Sequence, residues 1–576
     1  MGEYKIMCKY AGCDEQPNTP YDDEYCIFHA KKDKKGISGE EFNKKIIKKI
    51  ERQDYNFEGY IFPGGISFEG MEFNEKVNFI YAKFQGNLGK IIKDKKGRLF
   101  NYDDLCVNFK DVEFKSGVIF RDAEFSGGNT YFGETKFSGE NVIFDNAIFS
   151  GGEVYFTNSE FASIRTIFRE TKFSGGNADF KNVKFTGGNV FFIDTEFSGG
   201  KADFMSAKFS GGNVNFTNTK FTGGDVNFII TEFSNNVIFY KIVIKHNLYF
   251  SEIILSDKST FYFKNPEFME SEKNIILKFS DISFNPFLTY FENINYPEKH
   301  KSNGEFIDIV VIFRYCQLKD VYFSDSDMSL FSFYKSIFEE AKYYSCLWKE
   351  EKRIFEERIY SYVNSLKVEE EKTKIKKIYE IEDLNYNEIA ALYRRFKTLL
   401  DKSKDYTEAG GFYFKEFEMK RKALFIALKD ELENKKWLNS FRNGVLYLLY
   451  LIYNIFAGYG EKPGRSFWSF LGFWLFFSWL HLLSGLEVIG YKTINYDISL
   501  SWYGLKNILN IPLKDVGYAL GFALYRVIPI SYLPYQGSGI TPEGIGGLFL
   551  SFANTFVLIL FVIFIGIGLK RHFRRF

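Results

Sequence analysis

A phenylalanine repeat constrains the fold of this 576-residue chain more than any other feature. Between Phe109 and Phe239 the gaps from one repeated phenylalanine to the next are mostly five and seven residues in alternation. Neither an α-helix nor a simple alternating strand has a period near twelve residues. A chain that turns a corner about every five residues does have this period, so the repeat predicts a β-solenoid.

Each straight run of the repeat is expected to point two side chains inward. One is the phenylalanine and the other is a small or β-branched residue two positions earlier, as in Ala178 and Phe180. Two twelve-residue units would form one four-sided coil, and stacking at about 4.8 Å would place phenylalanine on phenylalanine. The longer gaps usually carry a Gly-Gly pair, which we expect at corners that need positive φ. Low-complexity disorder is the alternative, but disordered segments are poor in aromatic residues.

This pattern, in which a small or β-branched residue lies two positions before each phenylalanine, resembles the pentapeptide-repeat family. The resemblance covers residues 55–348, with insertions near 85–104 and 292–306. It implies a right-handed quadrilateral β-helix. It implies little about function, because the same scaffold serves unrelated purposes.

The N-terminal segment, residues 1–36, contains Cys8, Cys13, Cys26 and His29 in a Cys-x4-Cys-x12-Cys-x2-His pattern. Two close pairs of such ligands suit tetrahedral Zn²⁺, and the metal would supply the folding free energy of a segment with little apolar core. We therefore predict a structural zinc knuckle, with a chance cluster of free cysteines as the alternative. The basic run 31–35 is interpreted as a solvated linker. Residues 37–54 predict an amphipathic helix that caps the first coil.

The cysteines and the N-terminus indicate synthesis in the cytosol. The other three cysteines are scattered along the chain, which is typical of a reducing compartment rather than of a disulfide framework. The first residues lack the apolar core of a signal peptide.

Residues 349–434 are predicted to form a charged helical linker. The stretch 349–376 predicts one solvated helix, and the stretches 387–400 and 406–432 predict a helical hairpin.

A membrane module is predicted for residues 435–576. The apolar stretches 467–486 and 544–569 each reach the roughly 20 residues needed to span a bilayer. Lysine and arginine lie before the first stretch and after the second, so the positive-inside rule places both flanks in the cytosol. The chain is therefore expected to be a multi-pass plasma-membrane protein with cytoplasmic termini and a cytosolic rod. Residues 444–459 are interpreted as an interfacial helix, with a third span as the alternative.

Between the two spans, residues 516–532 form a short apolar stretch that suits a re-entrant helix. This order of segments resembles the pore domain of two-transmembrane potassium channels. The chain departs from that family where a Thr-Val-Gly-Tyr-Gly filter is needed, since residues 529–539 contain two prolines, Pro529 and Pro534, and lack the filter motif. Arg526, Ser531 and Gln536 are the candidate pore-lining residues.

No enzyme signature occurs in the sequence, which predicts a non-enzymatic integral membrane protein whose rod docks an unknown cytosolic protein. The alternative is an ion channel with a degenerate filter, gated by the rod and assembled as a homo-oligomer. A third interpretation is a DNA mimic that binds topoisomerases. Residues 109–239 hold 16 acidic and 12 basic side chains, a net charge of 12 − 16 = −4, which is too mild for such a mimic. Nucleic-acid binding is not expected, because the net charge of the chain is near zero.

Overall fold

The computed structural model describes residues 7–88, 91–93, 99–101, 105–256, 259–269, 274–284, 289–295, 309–348, 353–496, 511–525, 527 and 539–573. The chain divides into two compact units, Met1–Glu382 and Asp383–Phe576. The first unit contains the repeats and the second is mainly helical.

The first unit is a parallel β-solenoid of about ten turns, as the phenylalanine period predicts. Its strands form four parallel sheets, and the chain passes through the first, second, third and fourth sheet in each regular turn. An antiparallel hairpin, Ile91–Lys93 with Leu99–Asn101, interrupts the early turns inside the predicted insertion 85–104.

The strands of the four sheets are two to six residues long. The first sheet comprises Ile61–Phe62, Lys83–Phe84, Glu124–Phe125, Ile148–Phe149, Lys172–Phe173, Glu196–Phe197, Lys220–Phe221, Val243–Ile244 and Glu267–Phe268. The second comprises Ile66–Ser67, Leu105–Asn108, Asn129–Tyr131, Val154–Tyr155, Ala178–Asp179, Ala202–Asp203, Val226–Ile229, Leu248–Ser251, Ile275–Ser280, Ile309–Arg314 and Phe331–Ser332. The third comprises Glu72–Phe73, Glu113–Phe114, Lys136–Phe137, Glu160–Phe161, Lys184–Phe185, Lys208–Phe209, Glu232–Phe233 and Ile254–Leu255. The fourth comprises Val77–Asn78, Val118–Ile119, Asn141–Ile143, Arg165–Ile167, Asn189–Phe191, Val214–Asn215, Val237–Tyr240, Phe261–Lys264, Thr289–Glu292, Tyr322–Ser324 and Lys342–Tyr344.

Phenylalanine columns fill the interior of the solenoid. Phe149 pairs in register with Phe173, 24 residues later, so two twelve-residue units make one coil. The Phe180 ring stacks on Phe156 and on Phe204 with centroid distances of 4.8 Å, which is the spacing of neighbouring strands. It also meets Phe192 of the adjacent column edge to face at 5.7 Å. The columns therefore combine both favourable aromatic geometries.

The expected reason for the glycine pairs was wrong for all of them except the pair that contains Gly128, which has a positive φ. Positive φ occurs instead at a polar residue two positions after the inward phenylalanine, as at Asn146, Glu170 and Asn182. At Gly187 and Gly188 a Cβ would overlap backbone oxygens of the preceding coil. Glycine is needed there because stacked coils approach each other closely, and not because the backbone is left-handed.

The asparagine that often follows a glycine pair connects successive coils. Asn177 Oδ1 accepts a hydrogen bond from the backbone N–H of Lys201 at 2.8 Å, and Asn189 Oδ1 accepts one from Asn213 N–H at 2.9 Å. Each side chain thus binds the backbone one coil further along.

Helices cover both ends of the solenoid. At the N-terminal end, α1 (Gly39–Glu51) begins at Ser38 with a reciprocal capping box to Glu41 and buries Phe42 and Ile46. At the other end, α2 (Phe355–Ser365) buries an apolar face, and α3 (Glu369–Ile378) follows it.

The prediction of one solvated helix over 349–376 was therefore wrong. The chain is extended at Leu366 and Val368, between α2 and α3.

The second unit contains six helices within the described residues: α4 (Tyr386–Lys402), α5 (Tyr406–Glu433), α6 (Trp437–Ala457), α7 (Pro463–Ser484), α8 (Leu513–Tyr525) and α9 (Gly544–Phe573). An antiparallel sheet of Leu486–Val488, Thr493–Ile494 and Ile540–Pro542 lies between α7 and α9 in the chain. Short 3-10 helices occur at Lys32–Lys34, Met328–Leu330 and Gly458–Gly460.

Two helices of the second unit are long and apolar enough to cross a membrane. They are α7 and α9, which contain most of the predicted spans 467–486 and 544–569. The helix at the predicted interfacial segment 444–459 begins earlier, at Trp437, and ends at Ala457. Within the predicted re-entrant stretch 516–532, helix α8 ends at Tyr525.

Candidate metal centre

Two tight turns bring the four predicted ligands of the N-terminal segment together. The backbone N–H of Cys13 donates to the Tyr10 carbonyl at 3.1 Å, and the N–H of His29 donates to the Cys26 carbonyl at 3.1 Å. One ligand atom from each of Cys8, Cys13, Cys26 and His29 lies within 4.8 Å of the other three. The sequence spacing therefore identified a real cluster.

Two of three distances within this cluster are close to those of a tetrahedral metal site, and the third is shorter. Cys13 Sγ lies 3.7 Å from Cys26 Sγ, and Cys8 Sγ lies 3.6 Å from His29 Nδ1. Cys26 Sγ is closer to His29 Nδ1, at 3.1 Å. Ideal tetrahedral zinc would place sulfur atoms about 3.8 Å apart and sulfur about 3.5 Å from nitrogen. Three thiols and an imidazole are soft to borderline ligands, so the cluster could bind a metal ion of that class.

The second nitrogen of His29 is also engaged. Nε2 lies 3.0 Å from the backbone oxygen of Glu58, a residue just before the first strand of the solenoid. Because an oxygen acceptor requires a proton on Nε2, Nδ1 is left with its lone pair toward the sulfur atoms. Tyr10 stacks on the imidazole with ring centroids 4.1 Å apart and fixes the plane of the ring.

Burial opposes the charged forms of three residues of the cluster, Cys13, Cys26 and His29. Cys8, Cys26 and His29 are buried, and Cys13 is half-buried. Burial raises the pKa of the Cys26 thiol to about 12, raises the pKa of Cys13 and lowers the pKa of His29. Each shift disfavours the charged form of the group. A bound cation would reverse the effect on the thiols, because a coordinating thiol loses its proton.

Lys35 is a buried residue that the sequence did not single out. It was assigned to a solvated basic run, but its side chain is fully buried beside the cluster. Its ammonium group donates to the carbonyls of Ile27 and Phe28 and lies 4.5 Å from the centre of the Phe42 ring. Burial lowers the pKa of Lys35 to about 7. A tethered cation here would balance the net negative charge of a metal held by three thiolates.

The candidate pore-lining residues Arg526, Ser531 and Gln536 lie outside the described residues. Helix α8, which precedes them, packs against both long apolar helices. Trp474 of α7 donates from Nε1 to the Leu520 carbonyl at 3.0 Å, and Asn554 of α9 donates from Nδ2 to the Ala523 carbonyl at 3.1 Å.

All six cysteines of the chain are free thiols.

Four parallel sheets and a 24-residue coil define the first unit as a parallel β-solenoid. Among solved structures, the chain is similar to the crystal structure of HetL, a pentapeptide repeat protein involved in heterocyst differentiation regulation from the cyanobacterium Nostoc sp.. The identity is 12%, the match covers 41% of this chain and 96% of that chain, and the TM-score is 0.16. No protein-family model matches the chain, and no curated protein matches it.

Proposed function

We propose that this chain is a non-enzymatic integral membrane protein whose β-solenoid is a cytosolic scaffold for a protein partner. The observation that carries the proposal is the uncovered apolar surface of the two long helices. In α9 the exposed side chains include Ile545, Phe549, Phe552 and Phe556, each between 66% and 76% exposed. Their spacing puts them on one stripe of the helix. Aromatic surface of this extent is stable in lipid and prone to aggregation in water.

The arrangement of the two helices supports a hairpin through the bilayer. At one end, Arg571 near the end of α9 pairs with Glu461 before α7 at 3.1 Å. At the other end, Leu486–Val488 after α7 pairs with Ile540–Pro542 before α9. These contacts support a hairpin with both outer flanks on one side of the bilayer, and the basic residues around the flanks favour the cytosolic side.

A labelling experiment tests this topology. Thr493→Cys introduces a thiol at an exposed position between the two helices, and Lys402→Cys introduces one at the exposed end of α4. On intact cells, a membrane-impermeant maleimide is expected to label the Thr493→Cys variant but neither the Lys402→Cys variant nor the parent chain. After permeabilisation, both introduced thiols are expected to react. Labelling of Lys402→Cys on intact cells would contradict the proposed orientation.

The charges on one outer face of the solenoid argue against DNA mimicry. Along the third sheet, neighbouring outward positions carry Lys136, Glu160, Lys184, Lys208 and Glu232 in register. Mixed charges do not make the strongly acidic stripe that a duplex mimic needs.

The Cys3His cluster is proposed to hold a structural Zn²⁺. The chemistry of the ligands and the closed set of four ligand side chains support this choice. Elemental analysis of the purified full chain is expected to find about one zinc per chain, and the Cys26→Ser substitution is expected to abolish zinc binding. Cys346→Ser, which removes a thiol outside the cluster, is the matched control and is expected to keep the zinc.

A channel remains the second candidate function, favoured by the packing of α8 against both α7 and α9. A short helix held between two spans is the order of elements in a two-span pore, and a pore would need several copies of the chain. Conductance of the purified oligomer in planar bilayers, altered by Arg526→Ala or Gln536→Ala, would support this function. A silent bilayer with an assembled oligomer would remove it.

A further inference from the structure

The first coil of the solenoid has no coil before it. The backbone groups on that edge of its strands therefore have no partners from a preceding coil. In later coils, the strands of the first sheet each donate an N–H to the coil before them. Lys83 N–H donates to the Tyr60 carbonyl at 2.8 Å, and Ile148 N–H donates to the Ala123 carbonyl at 2.9 Å. The first strand, Ile61–Phe62, begins the sheet, and unpaired edge groups of this kind invite pairing with other chains.

The N-terminal segment supplies the missing partners. The N–H of Ile61 donates to the Phe28 carbonyl at 2.9 Å, which takes the place of a carbonyl from a preceding coil. In the next coil, the carbonyl of Ile80 accepts from Gly59 N–H at 2.7 Å. Its counterpart in the first coil is the carbonyl of Glu58, which accepts from His29 Nε2 at 3.0 Å. Both edge contacts therefore come from residues within or beside the metal cluster.

A single imidazole joins the cluster to this edge. A metal on Nδ1 of His29 would fix the proton on Nε2, and that proton has the Glu58 carbonyl as its acceptor. Phe28 is the residue before His29, and its carbonyl also accepts a hydrogen bond from Lys35. The Phe28 ring stacks on Tyr60 of the first coil with centroids 4.7 Å apart. Metal binding and edge pairing thus use the same few residues.

We propose that the Cys3His site is a metal-dependent end cap that closes the first coil of the solenoid, with a soft divalent cation such as Zn²⁺ as its ligand. The inference rests on the zinc site of the proposed function. Apart from its cysteines, the segment 7–35 buries only Phe28 and Ala30 among its hydrophobic side chains. Loss of the metal is therefore expected to make the edge groups of Glu58 and Ile61 accessible.

Helix α1 closes the neighbouring part of the coil through contacts that involve none of the four metal ligands. Asn43 Nδ2 donates to the Gly65 carbonyl at 2.7 Å, and Phe42 meets Phe62 edge to face at 5.7 Å. The amides of α1 therefore serve as an internal control for global unfolding.

Hydrogen exchange of the full chain in lipid nanodiscs tests the proposal. Removal of zinc with phenanthroline is expected to speed exchange at the Ile61 amide by at least about tenfold, and added zinc should restore protection. Exchange in α1 and in the inner strand Ala178–Asp179 should stay unchanged.

Two variants separate metal binding from capping. His29→Cys keeps four metal ligands but removes the Nε2–H donor, so zinc should remain while exchange at Ile61 rises. Cys346→Ser should change neither zinc content nor exchange. If the purified chain contains zinc while the rate of amide exchange at Ile61 stays the same after chelation or in His29→Cys, that result would overturn the end cap and leave the zinc site standing. A zinc-free chain would overturn both, and elemental analysis identifies that outcome.

Discussion

At the scale of single residues, two neighbouring phenylalanines differ sharply in burial. Phe192 points inward, is fully buried and stacks on Phe168 at 4.9 Å and on Phe216 at 4.8 Å. Its neighbour Phe191 points outward and is half-buried. The same residue type therefore occupies both environments at two successive positions, the last residue of a strand of the fourth sheet and the residue after it.

We predict that Phe192→Ala costs about 3–5 kcal/mol of solenoid stability, because it leaves a gap in a stacked column. Phe191→Ala is expected to cost less than about 1 kcal/mol. Urea unfolding followed by pulse proteolysis of the solenoid measures both. Equal losses would contradict the inward and outward assignment.

The metal ligands were predictable from sequence because they come as two local pairs with recognisable spacing. The contacts of Phe28, His29 and Lys35 were not, because their partners lie on other elements. Glu58 is separated from His29 by 29 residues, and no local pattern marks such a contact.

At the scale of elements, the helix α2 acts as a cap that the sequence did not reveal. Glu356 is buried, and its Oε1 accepts from Ser332 Oγ at 2.9 Å, Phe333 N–H at 3.0 Å and Tyr334 N–H at 3.1 Å. Arg314, also fully buried, donates to Ser332 Oγ at 2.7 Å. Burial raises the pKa of Glu356, and the charge of Arg314 opposes that rise. Charge patterning alone favoured a solvated helix here, because burial depends on a tertiary contact.

Glu356→Gln is expected to destabilise the last coil by about 3–5 kcal/mol, because the buried charge of Arg314 loses the carboxylate that stabilises it most. Glu370→Gln, on the exposed surface of α3, is the control and should have little effect. The measurement is amide hydrogen exchange at residues 331–334, which is expected to be faster in Glu356→Gln. Unchanged exchange there in Glu356→Gln would show that α2 does not hold the coil closed.

The corners of the coil contain two kinds of position: one where stacked coils approach closely, and one where the backbone has a positive φ. Gly188→Ala is predicted to destabilise the solenoid by several kcal/mol, since its Cβ would overlap the Ile164 carbonyl oxygen. Asn146→Gly, at a residue with φ of 57°, is predicted to change stability by less than about 1 kcal/mol. Thermal unfolding of both variants provides the comparison, and the reverse order of effects would contradict it. The sequence could not distinguish these roles, because both occur at turns.

At the scale of the whole molecule, the two units are expected to behave differently outside the membrane. The helices long and apolar enough to span a bilayer, among the described residues, both belong to the second unit. A chain that ends at Glu382 is therefore predicted to be soluble and monomeric, since both ends of its solenoid are covered. The full chain should stay in the membrane fraction after an alkaline carbonate wash. A fragment that pellets with membranes would place the anchor in the first unit.

The 24-residue register also affects how such a rod can change in length. Removal of residues 178–201 would join Asn177 to Ala202, which occupies the same place in the second sheet as Ala178. Every inward ring, polar corner and asparagine contact would keep an equivalent neighbour, and the rod would shorten by about 4.8 Å. A loss of only twelve residues would instead bring a strand of the fourth sheet into a position that belongs to a strand of the second sheet. Duplication or loss of genetic segments can therefore adjust the reach of this protein in whole coils without redesign of its interior.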